Sequence, residues 1–285
     1  MNQNVLITGA SRGLGAALAK AFWEKGANLG LVARNGAALN ELIQELQPRR
    51  GQSAYAITVD LSTPGAAEKI LDSVHQHFDY LDVLINNAAI QGPIGPFWEN
   101  DWSLWRQALD VDLLAPIDLC RRCTGWMIPQ KKGKIICVSG GGATASRPKF
   151  SAYAVAKTGL VRFCEVLADE LREYNIQVNC ISPGAMYTAL TDEVIKAGPV
   201  SAGQKEYDSA VKRKEEPESA LPQRAVELIL FLASPASDGL TGKLISAIWD
   251  PWERLPEHFE DMDKTDIYTL RRIIPKDRNK VWGDS

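Results

Sequence analysis

Tyr153 and Lys157 stand four residues apart, with Ala154, Val155 and Ala156 between them. On a helix that spacing puts two side chains on one face, a turn apart. A phenol beside an ammonium is a proton-transfer pair. Free tyrosine has a pKa of about 10, and a group that moves protons works best near the operating pH. Lowering it to about 7 takes roughly 4 kcal/mol, about what one ammonium about 4 Å away supplies at an effective dielectric of about 20. Tyr153 would then hand its proton to a carbonyl oxygen, or take one from an alcohol. Other chemistries have less to work with. His75 and His77 are two apart and so point in different directions on a helix, and His258 stands alone, so neither a Ser/His/Asp mechanism nor a metal site is expected. Cys120, Cys123, Cys137, Cys164 and Cys180 fall in helix-like or strand-like segments. Cys120-x-x-Cys123 has no second Cys/His pair to complete a zinc site, and the five are read as small buried thiols.

A carbonyl that accepts a proton on oxygen needs hydride on carbon, and the chain offers a place for its carrier. Val5-Leu6-Ile7 leads into Thr8-Gly9-Ala10-Ser11-Arg12-Gly13-Leu14-Gly15, and a helical pattern follows. Glycines at a strand–helix junction allow a tight turn and let a pyrophosphate approach the helix N-terminus. The next strand-like run ends Leu31-Val32-Ala33-Arg34-Asn35, without the carboxylate that takes the ribose 2′-hydroxyl in NAD-binding folds. Arg34, with Arg12 reaching the same group, suits a 2′-phosphate instead. The expected coenzyme is therefore NADP(H), the alternative being two solvated arginines.

Such groups need a frame that brings them together. Strand-like runs recur at Val5–Thr8, Leu29–Ala33, Tyr55–Val59, Val83–Ile85, Ile135–Val138, Gln177–Ile181 and Leu244–Ala247. Helix-like spacing fills Leu14–Lys25, Ala37–Leu46, Ala66–Phe78, Trp102–Met127, Ala152–Tyr174 and Gln223–Leu232. The alternation predicts an α/β fold: one Rossmann-like, doubly wound parallel sheet of about seven strands, in a single domain. With 32 basic against 35 acidic residues the 285-residue chain has a formal charge of −3, which gives nucleic acid no electrostatic footprint. The sequence lacks an apolar run of about 18 residues for a bilayer and a signal-like start, so a cytoplasmic protein is expected.

These motifs, in this order, resemble the short-chain dehydrogenase/reductase family from Val5 to about Ala247. The T-G-x-x-x-G-x-G turn is matched by Thr8 to Gly15, N-N-A-G by Asn86-Asn87-Ala88-Ala89 with Ala for the final Gly, and Y-x-x-x-K by Tyr153 to Lys157. The family's Asp near the adenine corresponds to Asp60, followed by Leu61, and its P-G motif to Pro183-Gly184. The resemblance implies a coenzyme held by Gly9, Ser11, Arg12, Gly13, Leu14, Gly15 and Arg34. It extends that set to Asp60, Leu61, Asn87, Ala88, Pro183, Gly184, Met186 and Thr188, with Tyr153 and Lys157 at its reactive end. Lys157 would also bind the nicotinamide ribose. It implies an oxidoreductase acting on a small carbonyl or secondary-alcohol substrate, and a homodimer or homotetramer paired through the helices at 102–127 and 152–174. An epimerase or dehydratase of the same fold, or a catalytically impaired NADP(H)-binding or regulatory protein, is the alternative.

Beyond Ala89, the chain departs from the family in four places. The serine that usually binds the substrate oxygen stands about thirteen residues before the tyrosine, where this chain has Gly140; Ser139 is one residue early. A one-residue offset on a strand normally turns a side chain to the other face, although three following glycines can re-aim the backbone. Ser139, glycine N–H groups or a water remain candidates for that role. The family's asparagine in a V-N-L-like context, which helps hold a proton-relay water, is Asp112 here, a candidate catalytic residue that supports such a relay or marks a changed chemistry. It keeps an acceptor, loses the amide donor and must be paired or protonated if buried. The insertion at 189–222, rich in Lys and Glu, reads as a solvated, mobile lid or as an anion-binding site. Residues 249–285 extend beyond a domain at 1–248, and Trp249, Trp252, Phe259, Tyr268 and Trp282 are expected to pack on the domain or a partner, bordering the substrate pocket or serving structure alone.

Overall fold

The computed structural model of the protein describes residues 3–47, 51–215 and 223–282. Its seven parallel strands are β1 (Asn4–Thr8), β2 (Asn28–Ala33), β3 (Ala54–Thr58), β4 (Val83–Asn86), β5 (Gly133–Val138), β6 (Ile176–Ser182) and β7 (Leu244–Ser246). They lie in the order β3-β2-β1-β4-β5-β6-β7. Each expected strand is present within two residues of its expected ends. The sheet alternates because both its faces are covered. Val5, Ile7, Leu29, Leu31, Val83 and Ile85 enter one core with α1 (Gly13–Glu24), α2 (Gly36–Glu45) and α9 (Gln223–Leu232). Leu6, Val32, Leu84, Ile135 and Cys137 enter the other with α3 (Ala66–His75), α5 (Ala115–Met127) and α6 (Ser151–Leu171). All five cysteines are buried free thiols. Among the described residues no helix is long and apolar enough to cross a membrane.

The helix expected over 102–127 is not continuous. It comprises α4 (Trp102–Leu109), a π-helical turn at Asp110–Leu114 and then α5, with Pro116 in the first turn of α5. Proline has no N–H to give to the preceding turn, and a π-turn accommodates one extra residue there. The widened turn carries Asp112, fully buried.

The segment expected to be a solvated lid is, over its described residues, a pair of helices: α7 (Ala189–Ala202), broken at Gly198, and α8 (Gln204–Glu215). Val194, Ala202 and Ala210 from this pair bury against Phe150 in a small core of their own. Residues 216–222 and 283–285 lie outside the described residues. Beyond β7, Trp252, Leu255 and Met262 join the first core, with Phe259 and Tyr268 packed against it, and Lys243 Nζ donates to Met262 O at 2.6 Å. Trp249 and Trp282 do not share in this packing; they are 84% and 71% exposed.

Candidate active site

The strand order reverses direction of travel between β1 and β4, and the C-terminal ends of the strands open there on a cleft of about 1360 Å³. At its floor Gly9 has φ +66°, and a Cβ on it would stand 2.8 Å from Ala88 Cα. Gly15 approaches still more closely: its Cβ would stand 2.2 Å from Gly9 O. Thr8 and Asn87 lock this approach. Thr8 Oγ1 accepts from the N–H groups of Asn87 and Ala88 at 3.0 and 3.1 Å, and the Asn87 amide donates to Thr8 O and Gly9 O at 2.9 and 3.2 Å. The first turn of α1 has neither a side-chain cap nor an acidic residue, so its N–H groups face the cleft unpartnered by side chains. Together with the positive end of the helix dipole this is a seat for a phosphate group, which the sequence motif anticipates.

Gly9, Ser11, Arg12, Gly13 and Leu14 line the cleft, as do Arg34, Asp60, Leu61, Asn87 and Ala88. Pro183, Gly184, Met186 and Thr188 complete the opposite wall, Thr188 lying with its methyl 3.8 Å from where a Gly13 Cβ would be. Gly15 does not line it and acts from below by letting the turn close. Arg34 ends β2 with an exposed side chain, and Asn35 caps α2 by accepting from Ala38 N at 3.2 Å. Asp60 accepts from the N–H and hydroxyl of Ser62, the first of which does most to lower its pKa. The residues present fit a dinucleotide with its phosphates over α1 and its adenosine end by Arg34.

At the other end stand Tyr153, Lys157 and Ser139. Lys157 is 2% exposed; its ammonium donates to Val138 O at 3.2 Å and lies 3.5 Å from Asp112 Oδ2. Asp112 is behind the cleft wall and accepts from Ile90 N at 2.9 Å. Burial pushes its carboxyl up to about 6 against the pull of Lys157. Burial opposes charge on Lys157 too, but the carboxylate and the phenol beside it outweigh this and raise its pKa. For Tyr153, burial raises the pKa, Lys157 and Arg147 lower it, Asp112 raises it, and the net shift is upward. This corrects the charge arithmetic made from spacing alone. One ammonium suffices only if its charge is undivided, whereas Lys157 shares its charge with Asp112 and lies 5.6 Å from the phenol ring centre.

Gly140 lies directly against the phenol: a Cβ there would stand 2.2 Å from the Tyr153 hydroxyl. Ser139 keeps its place in the ladder by donating its N–H to Ile181 O at 2.8 Å, while its buried hydroxyl has no hydrogen-bond partner among the described residues. Despite the one-residue offset it lines the same cleft as Tyr153. Sequence reasoning did not find Arg147. Its guanidinium stacks 3.8 Å from the Phe150 ring centre and 5.5 Å from that of Tyr153, held by Glu206 at 2.9 Å and Gln91 at 3.3 Å. It sits in an irregular loop where no periodicity marks it.

The buried carboxylate has a thermodynamic signature. Its pKa is higher in the folded chain, about 6, than the ordinary 3.8. The folded state therefore holds the extra proton between those values, and the stability this group contributes falls as pH rises through them. Two units correspond to about 3 kcal/mol. Urea unfolding of wild type and Asp112→Asn at several pH values should show the wild type losing about that much relative to the variant between pH 4 and 7. Parallel curves would mean that Asp112 is not the group that titrates.

A family model described as short chain dehydrogenase matches residues 3–198. Dehydrogenase/reductase SDR family member 7B of Mus musculus is 34% identical over 215 residues, which is 74% of this chain and 66% of that protein, so the chain spans just under two thirds of this relative. 3-Oxoacyl-(acyl-carrier-protein) reductase FabG of Chlamydia trachomatis is 29% identical over 256 residues, 86% of this chain and 96% of its own. Among solved structures, NAD+-bound xylitol dehydrogenase is similar with a TM-score of 0.74 at 25% identity, over 86% of this chain and 96% of its own. With its parallel sheet, its glycine turn and these matches, the chain belongs to the short-chain dehydrogenase family of oxidoreductases.

Proposed function

We propose that the chain transfers hydride between NADP(H) and a carbonyl or secondary-alcohol substrate, with Tyr153 as the proton donor or acceptor. The observation that carries this reading is that a buried Tyr153–Lys157 pair and an uncapped, glycine-lined helix start open on one cleft. When bound, the coenzyme supplies or receives the hydride. Tyr153 gives its proton to the substrate oxygen in the reductive direction; its raised pKa keeps the phenol protonated at neutral pH, the form that step uses. Lys157, held by Asp112 and Val138, supplies a fixed positive charge beside the phenol, and it would also bind a ribose hydroxyl of the coenzyme. The unpartnered Ser139 hydroxyl is the available donor for orienting the substrate oxygen; left unsatisfied, such a group costs about 1–3 kcal/mol.

The relatives do not decide the coenzyme, since the xylitol dehydrogenase structure is an NAD+ complex. The choice of NADP(H) rests on Arg34 at the end of β2, where no carboxylate stands, and on Arg12 across the turn. Arg34→Asp should weaken NADPH binding by about 10- to 100-fold, the worth of a charge-assisted contact, and narrow the gap to NADH. Equal affinity of the wild type for both coenzymes in a fluorescence titration would remove the basis for the assignment. The activity itself is tested by following NADPH oxidation with a panel of ketones, and NADP+ reduction with the matching alcohols. Stoichiometric coenzyme binding without turnover would favour a coenzyme-binding regulator, a reading to which Gly140 in place of the family serine lends support.

A further inference from the structure

Helix α8 lines the cleft with Glu206, Ala210 and Arg213, at the four-then-three spacing of one helical face, and Glu206 ties that face to Arg147 beside Tyr153. Ala210 anchors that face by burying with Phe150 and Val194. Glu206 is committed, since its carboxylate accepts from Arg147 Nε and Nη2 at 3.2 and 2.9 Å, and the two charges cancel. Arg213 is half-buried and, among the described residues, has neither an ion pair nor a hydrogen bond. Two further carboxylates line the cleft: Asp60, which accepts from Ser62 beside Arg34, and Asp192, which stands one turn after Thr188 and so toward Gly13 and the coenzyme end, where it accepts from the Tyr187 hydroxyl at 2.6 Å.

A guanidinium held in a cleft wall with no partner among the described residues has five donors and a full charge to offer a ligand. We infer that Arg213 anchors a carboxylate on the substrate, so that the substrates are keto acids and the corresponding hydroxy acids. This rests on the reading of the cleft as a hydride-transfer site. One guanidinium matches one negative charge, and a planar carboxylate meets its fork in two parallel hydrogen bonds. The Arg147–Glu206 pair fixes α8 against the loop that precedes Tyr153, so the anchor is held at a set position relative to the phenol. Arg213 is a specificity residue and takes no part in the chemical step.

Acetoacetate and laevulinate, each against its neutral methyl ester, present the same ketone with and without the charge. Binding to the NADP+-loaded protein, followed by tryptophan fluorescence because Trp249 lines the cleft, should favour the acid over its ester by about tenfold or more in at least one pair. Arg213→Gln should bring that ratio to about one, and Arg213→Lys, which keeps the charge but not the fork, should retain part of it. A melting temperature unchanged from wild type would show that the loss is local. No preference for the acid in either pair, or a preference that survives Arg213→Gln, would overturn the proposal. NADPH oxidation by the same four compounds separates the two readings. Acid-selective binding without turnover refutes the reductase and leaves the anchor standing, whereas turnover without acid preference does the reverse.

Discussion

Tyr153→Phe should lower kcat by about 10³-fold while leaving coenzyme affinity unchanged, because it removes one hydroxyl and the only step that hydroxyl performs. The ring is 7% exposed and its hydroxyl fills the space left by the missing Gly140 side chain. Deleting one oxygen there leaves a void smaller than a methyl group, so the folded state should change by less than about 1 kcal/mol. The prediction separates chemistry from packing: stopped-flow hydride transfer should be slow even at saturating coenzyme and substrate. Turnover within an order of magnitude of wild type would mean that another group, or water, delivers the proton. The wild-type pH profile gives a second handle. Burial and Asp112 hold the Tyr153 pKa above its ordinary value, so reduction should persist to alkaline pH, and oxidation, which needs the phenolate, should still be rising there.

Much of this arrangement is legible in the sequence. The strands could be read because five of the seven are buried along nearly their whole length and so appear as largely apolar runs; β3 and β7, at the two sheet edges, are partly exposed, and β3 shows instead as a β-branched and aromatic string. The glycine turn could be read because the backbone contact at Gly9 tolerates no side chain. The interruption at Asp110–Leu114 could not, since Val111, Leu113, Leu114 and Ala115 continue the apolar spacing straight through it and Pro116 was the single discordant residue. The α7–α8 pair was missed for a different reason. It buries mostly small residues, Ala202 and Ala210 among them, so its hydrophobic signal is faint against its Lys and Glu. Ser139 was placed by strand alternation, a rule that ends with the strand at Val138. The charge balance around Tyr153 lay beyond any local pattern, because Asp112 and Lys157 are forty-five positions apart and meet only when the π-turn packs on α6.

Lys157→Met puts that meeting to the test. Turnover should fall by about 10²- to 10³-fold, since the phenol loses its fixed positive neighbour. Stability should fall as well, by up to about 3–5 kcal/mol, because the substitution strands a carboxylate in the core. The stranded group has one escape, which is to bind a proton. Its pKa is already about 6 with Lys157 present, and removing that ammonium raises it further. Folded Asp112 then holds its proton at neutral pH, so the single variant should be only mildly destabilised at pH 5 and progressively more so as pH rises through the new pKa. Adding Asp112→Asn removes the charge yet keeps an oxygen to accept from Ile90 N. The double variant should therefore recover most of the lost stability and lose its pH dependence, while turnover stays at the level of the single variant. Activity that returned together with stability would reduce Lys157 to a counter-ion for Asp112 and leave Tyr153 without its electrostatic partner.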